Sequence, residues 1–321
     1  MVKAIYRLKR VISDHLRSNR VALHVIIGLM LGVIIALVAS LAWAGSSTLL
    51  KYLSSRIDAI SVNTMRLWVG SIALVALVIF FGRSGDILQT PIFPLLMVIA
   101  SGILSNTIGD TIYIRSLSYL DVSISYPISQ SAFPVLTLIA AIFFLNETFK
   151  WFNIIGAVFV ISGILMIVKN NKQVVIHKNT GKGVALTLIA AVLWAAGSIT
   201  LKIGLTQVDT FVAAAIRVII SAVLLTTLAF GRPAPERLKI SSYGTRNLIL
   251  VASAGLLTYG VGAIGYVTAM HLIGAGKTVL LSASAPVFLL PMSVLILKER
   301  LSLVALAGVF IAIAGICLVA L

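Results

Sequence analysis

LVASLAWAGSSTLLK, residues 37–51, returns in mid-chain as IAAVLWAAGSITLK, residues 189–202. Adding 151 to Trp43-Ala44, Ser47, Leu50-Lys51, Asp58 and Arg66 lands on Trp194-Ala195, Ser198, Leu201-Lys202, Asp209 and Arg217. A second block follows at an offset of 152, where Pro134-Val135, Leu145, Glu147, Gly156 and Gly163 recur as Pro286-Val287, Leu297, Glu299, Gly308 and Gly315. A period near half the chain length marks a duplicated domain, since solenoid repeats run to only about 20–50 residues.

Of the 321 residues, 60% are apolar and only 11% charged, and the mean hydropathy is +1.11. Soluble domains carry about 25% charged residues, so this composition belongs in a membrane. The formal charge of +16 is spread over tails and loops with no basic stripe to follow a phosphate backbone, which argues against a nucleic-acid partner. The single cysteine, Cys317, excludes an intramolecular disulfide or a multi-thiolate site. The four histidines are scattered (His15, His24, His177, His271), with no helical spacing to another ligand, so neither a metal nor a cofactor is expected.

Apolar runs between charge, Gly and Pro punctuation predict spans near 28–50, 58–81, 95–117, 121–145 and 151–168, then 184–206, 210–230, 247–270, 275–297 and 302–320. The expected fold is an all-α polytopic membrane protein of ten transmembrane helices in two five-helix repeats. Because each half has an odd number of spans, the repeats are expected to be inverted about an axis in the membrane plane. The expected division is a basic amphipathic segment 1–27, a first repeat 28–168, a polar linker 169–183 and a second repeat 184–321. In the first segment Ile5, Leu8, Ile12 and Leu16 recur at helical spacing among basic residues, the pattern of a helix lying on an anionic membrane surface. The run after it is about twice signal-peptide length, and its Trp-Ala segment recurs in mid-chain, so it reads as an uncleaved first span. Lys and Arg are divided too evenly between the loops of the two sides to set an orientation. The basic tail beside the first span favours both termini inside.

The paired segments at residues 37–51 and 189–202 resemble the first-helix motifs of the EamA-type drug/metabolite transporters. So do FFLNETFKWFNIIGAVFVISGILMIV from Phe143 and LILKERLSLVALAGVFIAIAGICLVAL from Leu295. The resemblance covers about residues 28–320. It implies ten helices, both termini inside and a central cavity reached alternately from each side, and it leaves the substrate open.

Candidate site residues follow from what hydrocarbon tolerates. Pro127 and Pro134 in span 4, and Pro286 and Pro291 in span 9, place backbone interruptions in two corresponding spans, a pattern read either as a substrate site or as packing kinks. Asp110 is the one carboxylate well inside an apolar run, and Asn106, Asp110 and Tyr113 share a helix face. An intramembrane acid marks function by default. Its readings are a proton carrier, a holder of a basic substrate group, or a structural partner of Arg66 or Arg115. Arg66 and Arg217 occupy equivalent places and either hold an anionic group or snorkel. Lys51 and Lys202 read as complements to the C-terminal dipoles of their own helices, and Glu147 and Glu299 as acids at the N-termini of spans 5 and 10. Trp43 and Trp194 lie deep in apolar runs, as cavity wall or as packing. The expected cavity lining is Trp43, Ser47, Asn106, Asp110, Tyr113, Ser123, Tyr126, Gln130, Trp194, Ser198, Tyr259, Tyr266 and Ser282.

The function this supports is secondary transport of a small polar or amphipathic metabolite such as an amino acid, as an exporter in the cell membrane, with proton coupling at Asp110 and the bilayer as surroundings. A homodimer is one expected state. The alternative is an antiporter of a phosphorylated sugar or nucleotide-sugar, for which Arg66, Arg217, Arg115 and Lys277 are the available cations. An enzyme is not expected, since Asp110 has neither a nearby His nor a second acid. No charged ring marks a channel, and no Walker A loop marks an ATP-driven pump.

Overall fold

The computed structural model describes residues 26–46, 56–83, 90–116, 122–169, 180–231, 243–285 and 303–320, with positions 49, 52, 53, 85 and 119. Among them every regular element is helical. In chain order these are α1 (Ile26–Ser46), α2 (Ala59–Phe80), α3 (Ile92–Gly102 continued through Ile103–Gly109 and Asp110–Ser116), α4 (Val122–Leu145) and α5 (Trp151–Lys169). The second half follows with α6 (Thr180–Gly204), α7 (Thr210–Phe230), α8 (Thr245–Ile273), α9 (Ala275–Ser282) and α10 (Leu303–Ala320). Six of the described helices, namely α1, α2, α3, α6, α7 and α8, are long and apolar enough to cross a membrane. Shorter apolar stretches lie at Ala132–Leu145, Trp151–Gly163 and Phe310–Val319. Large apolar side chains stand outward, Phe80, Phe143 and Leu303 among them. On a chain of this composition that outer surface is the lipid face.

Helix starts and stops repeat with the sequence. Asp58 caps α2 by accepting from the Ser61 amide at 3.0 Å, and Asp209 caps α7 by accepting from Phe211 at 2.9 Å and Val212 at 3.2 Å. Each carboxylate satisfies amides that the first helical turn leaves open. At the end of α4, Asn146 takes the left-handed conformation (φ 52°), which Asn tolerates better than most residues, and the Glu147 amide closes back on the Ala141 carbonyl at 3.2 Å.

Lipid tails are as apolar as leucine, so burial from water does little to join these helices; close packing and interhelical hydrogen bonds do. One buried apolar cluster joins Leu67 and Leu74 of α2, Val218 and Leu225 of α7, and Val267 and Met270 of α8. The helices meet mainly across the two halves. α2 lies on α7, α3 on α6 and α7, α8 on α2, and α5 on α10. In the last pair a Cβ on Gly156 would lie 2.8 Å from the Gly315 carbonyl, and one on Gly163 would lie 2.5 Å from that of Gly308. Only glycine permits this approach.

Four details differ from the sequence reading. α4 runs through both Pro127 and Pro134 without a break, and Pro134 is buried within it. The irregular backbone lies in α3 and α8, described below. α9 ends at Ser282, followed by a turn at Ala283 and Ser284, where a span to residue 297 was expected. Pro286, Pro291 and Glu299 lie outside the described residues. The fourth is the role of two charges. The Glu147 carboxylate does not serve the N-terminus of its neighbour α5. It crosses to the other half and accepts from the Ala275 amide at 2.6 Å and the Gly276 amide at 3.1 Å, capping α9. Lys202 likewise serves another helix, donating to the Met270 carbonyl near the end of α8 at 2.8 Å.

Candidate functional site

The site begins with two stretches of π-helix. Residues Ile103–Gly109 of α3 and Leu256–Gly262 of α8 close wider, i→i+5 turns, and they correspond residue for residue at an offset of 153. A π turn re-aims the side chains that follow it and is frequent at functional sites. Each ends on a glycine covered by the tryptophan of the opposite half. A Cβ on Gly109 would lie 2.7 Å from Trp194 Cδ1, and one on Gly262 would collide with Trp43 Nε1. Glycine at these two places lets an indole ring lie on helical backbone.

Each indole N–H has a partner, as a buried donor requires. Trp194 donates to Asp110 Oδ1 at 2.9 Å, and Trp43 donates to the Thr258 carbonyl at 3.2 Å. The difference follows from sequence, because the counterpart of Asp110 is Ala263, which has no carboxylate to offer. The rings pack alike. Trp194 meets Tyr113 at a centroid separation of 5.3 Å, and Trp43 meets Tyr266, the counterpart of Tyr113, at 5.5 Å. The Tyr266 hydroxyl pairs with Ser198 Oγ at 2.8 Å, and Phe133 of α4 meets the Trp194 ring edge-on at 5.9 Å.

Two guanidiniums complete the group. Arg66 is 8% exposed, and its Nη2 donates to Thr258 Oγ1 at 2.5 Å and to Ser46 Oγ at 3.3 Å. It also lies 5.2 Å from the ring centroid of Tyr259, whose hydroxyl donates to Asn63 Oδ1 at 2.7 Å. Arg217 is 6% exposed. It forms neither a hydrogen bond nor an ion pair among the described residues, and its Nε is buried without a partner. Asp110 feels both guanidiniums through space. No ion pair joins it to Arg66, Arg115 or Arg217 among the described residues, so the arginine partnership considered from sequence is replaced by the hydrogen bond from Trp194.

Contacts therefore bring together Trp43, Asp110, Tyr113, Trp194, Ser198, Tyr259 and Tyr266, with Arg66, from α1, α2, α3, α6 and α8, and Arg217 of α7 lies near enough to act on Asp110, Tyr259 and Tyr266 through space. Asn106 lies half-buried in the first π segment, while Asp110 and Tyr113 both meet Trp194. Ser282 lies against α1, its hydroxyl buried without a partner among the described residues. Its carbonyl accepts from Ser40 Oγ at 3.1 Å, in the contact between α1 and α9. Ser47 lies outside the described residues, as do the side chains of Ser123, Tyr126, Pro127 and Gln130. Sequence reading missed Ser46, Asn63, Thr258 and both π segments. The available signal was the recurrence of Gly102 and Gly109 as Gly255 and Gly262. Among the described residues no cluster of His, Cys, Asp and Glu has the makings of a metal site.

Comparison with known proteins places this arrangement. The model of the EamA-like transporter family matches residues 30–169 and again 181–321. A curated protein of Archaeoglobus fulgidus, described as an uncharacterized transporter, is 25% identical over 294 residues, which cover 91% of this chain and 99% of that one. A solved crystal structure superposes with a TM-score of 0.74 at 16% identity, over 89% of this chain and 95% of its own, a likeness of fold. Two matches of one family model, falling on the two halves that the sequence repeats, cover most of the chain. The protein is a multi-pass membrane protein and belongs to the EamA-like transporter family.

Proposed function

We propose that this chain carries a small polar metabolite, an amino acid in the first instance, across the cell membrane by alternating access. In this reading the transporter has ten transmembrane helices in two inverted five-helix repeats, with both termini inside, and works as an exporter exchanging substrate for protons. The observation that carries it is the cluster itself. One carboxylate and several aromatic hydroxyls from both halves gather where the halves join, within the electrostatic reach of two guanidiniums. Such polar groups are costly in a bilayer unless they serve a pathway, and a substrate held between two halves is released when the halves rock apart. The reciprocal contacts of Trp43 and Trp194 support two-fold-related halves.

A phosphorylated sugar fits less well. Of the cations such a substrate needs to converge on it, Arg66 is engaged by two hydroxyls, Arg115 is exposed and Lys277 stands near Lys150 by the start of α9, which leaves Arg217 alone. Counterflow in proteoliposomes tests the reading. Vesicles loaded with one unlabelled amino acid are expected to accumulate its radiolabelled form transiently. A panel of amino acids giving no counterflow, with sugar phosphates giving it, refutes the amino-acid assignment.

A further inference from the structure

The two arginines are equivalent in sequence and unlike in structure. Arg66 is clamped by Ser46 and Thr258, whose hydroxyls also bond each other at 2.6 Å. The corresponding positions around Arg217 are Gly197 and Ser105. Glycine supplies no hydroxyl, and a Cβ there would collide with Ser105 Oγ, so the serine fills the place of the missing side chain. One half keeps its arginine tied down. The other holds an arginine more than nine-tenths buried whose terminal nitrogens make no hydrogen bond to the described residues, while the Nε of both arginines is buried without a partner among them.

A guanidinium with five donors and no acceptor is matched by a carboxylate, which takes two parallel N–H bonds. Left alone in a low-dielectric site it is strongly disfavoured. Arg217 acts through space on Asp110 and Tyr266 without an ion pair to Asp110. A ligand with an anionic and a cationic end therefore finds a separate counter-charge for each.

We propose that Arg217, and not its twin Arg66, binds the carboxylate of the transported molecule, with Asp110 receiving its ammonium group. This rests on the transport reading above and adds the division of labour between the arginines. Arg66 is a structural clamp between α1, α2 and α8.

The test uses the purified full-length protein in detergent, melted with millimolar L-amino acids, with their methyl esters and with the amines that lack the carboxylate. Some amino acids are expected to stabilise the wild-type protein, and their esters and amines to do so with at least about tenfold weaker apparent affinity, the scale of a charge-assisted pair. Arg217→Gln should lose the acid-over-ester preference and Arg217→Lys should keep part of it. Arg66→Gln should melt lower under all conditions and still prefer the acid. Equal stabilisation by acid and ester in the wild-type protein overturns the proposal, whatever the variants do, and leaves transport standing. Propionate probes the subsite apart from the amino-acid reading. A propionate shift abolished by Arg217→Gln supports the subsite even where no amino acid shows counterflow, and no shift with propionate or any amino acid overturns it.

Discussion

Replacing Glu147 by Gln tests how firmly the two halves are joined at the start of α9. Both carboxylate oxygens are engaged, on the Ala275 amide at 2.6 Å and the Gly276 amide at 3.1 Å. The Gln side chain keeps the size and one acceptor. Its other terminal group is a donor and would face an amide N–H that also donates. One cap bond is worth about 1 kcal/mol, and loss of a negative charge at a helix N-terminus adds about 0.3–1 kcal/mol. With one bond lost and the other weakened from charge-assisted to neutral, the expected destabilisation is about 1–3 kcal/mol. The turn leaves little room for repair, since Gly274 takes φ 86° and a Cβ on it would lie 2.7 Å from Glu147 Oε1. Denaturation of the protein in mixed micelles, followed by tryptophan fluorescence, measures the change. A Glu147→Gln protein within about 0.3 kcal/mol of wild type would refute the view that this carboxylate holds α9, and would return Glu147 to the role of an acid beside α5.

Asp110→Asn preserves an acceptor for the Trp194 indole and removes titration. On the proton-carrier reading the variant is expected to lose accumulation driven by a pH gradient and to keep substrate exchange, measured in the same proteoliposomes. Loss of both assigns Asp110 to substrate binding, and wild-type values of both exclude either role. Gly163→Val places branched carbon where a Cβ already meets the Gly308 carbonyl at 2.5 Å. Forced separation of α5 and α10 should cost about 1–3 kcal/mol in the same unfolding assay, and an unchanged midpoint would contradict the packing. A cysteine introduced at Ser13 should resist membrane-impermeant thiol reagents in intact cells, and labelling from outside would reverse the proposed orientation.

The parts of the fold legible from sequence were those written in local chemistry. The duplication shows as spacing, and among its recurring positions are Asp58 and Asp209, which the structure makes caps, and the glycines at which α5 and α10 meet. The site was legible in its residue types, because an acid, an arginine pair and interior tryptophans are costly in hydrocarbon wherever they point. Their partners were not. Nothing near Glu147 in sequence indicates that it caps a helix about 130 residues away, and the pairing of Asp110 with Trp194 depends on which helix the first π segment faces. Prolines drew the eye to α4, yet a helix passes through proline when its neighbours tolerate the lost amide. The irregular backbone lies in α3 and α8, where Gly109 and Gly262 admit Trp194 and Trp43, and Gly102 and Gly255 admit the backbone at Arg217 and Arg66.

The packing of α5 against α10 has a consequence beyond stability. Gly156 meets Gly315 while Gly163 meets Gly308, and these are one contact seen from its two ends, since Gly308 and Gly315 are the repeat copies of Gly156 and Gly163. An interface in which position i touches j and j touches i is the isologous surface of a two-fold dimer. Here it is held inside one polypeptide. Before fusion, two identical half-chains could have met through this surface, and fusion then freed the halves to diverge. Ala263 opposite Asp110, and Gly197 opposite Ser46, are differences that a symmetric pair of half-chains cannot carry on one side alone.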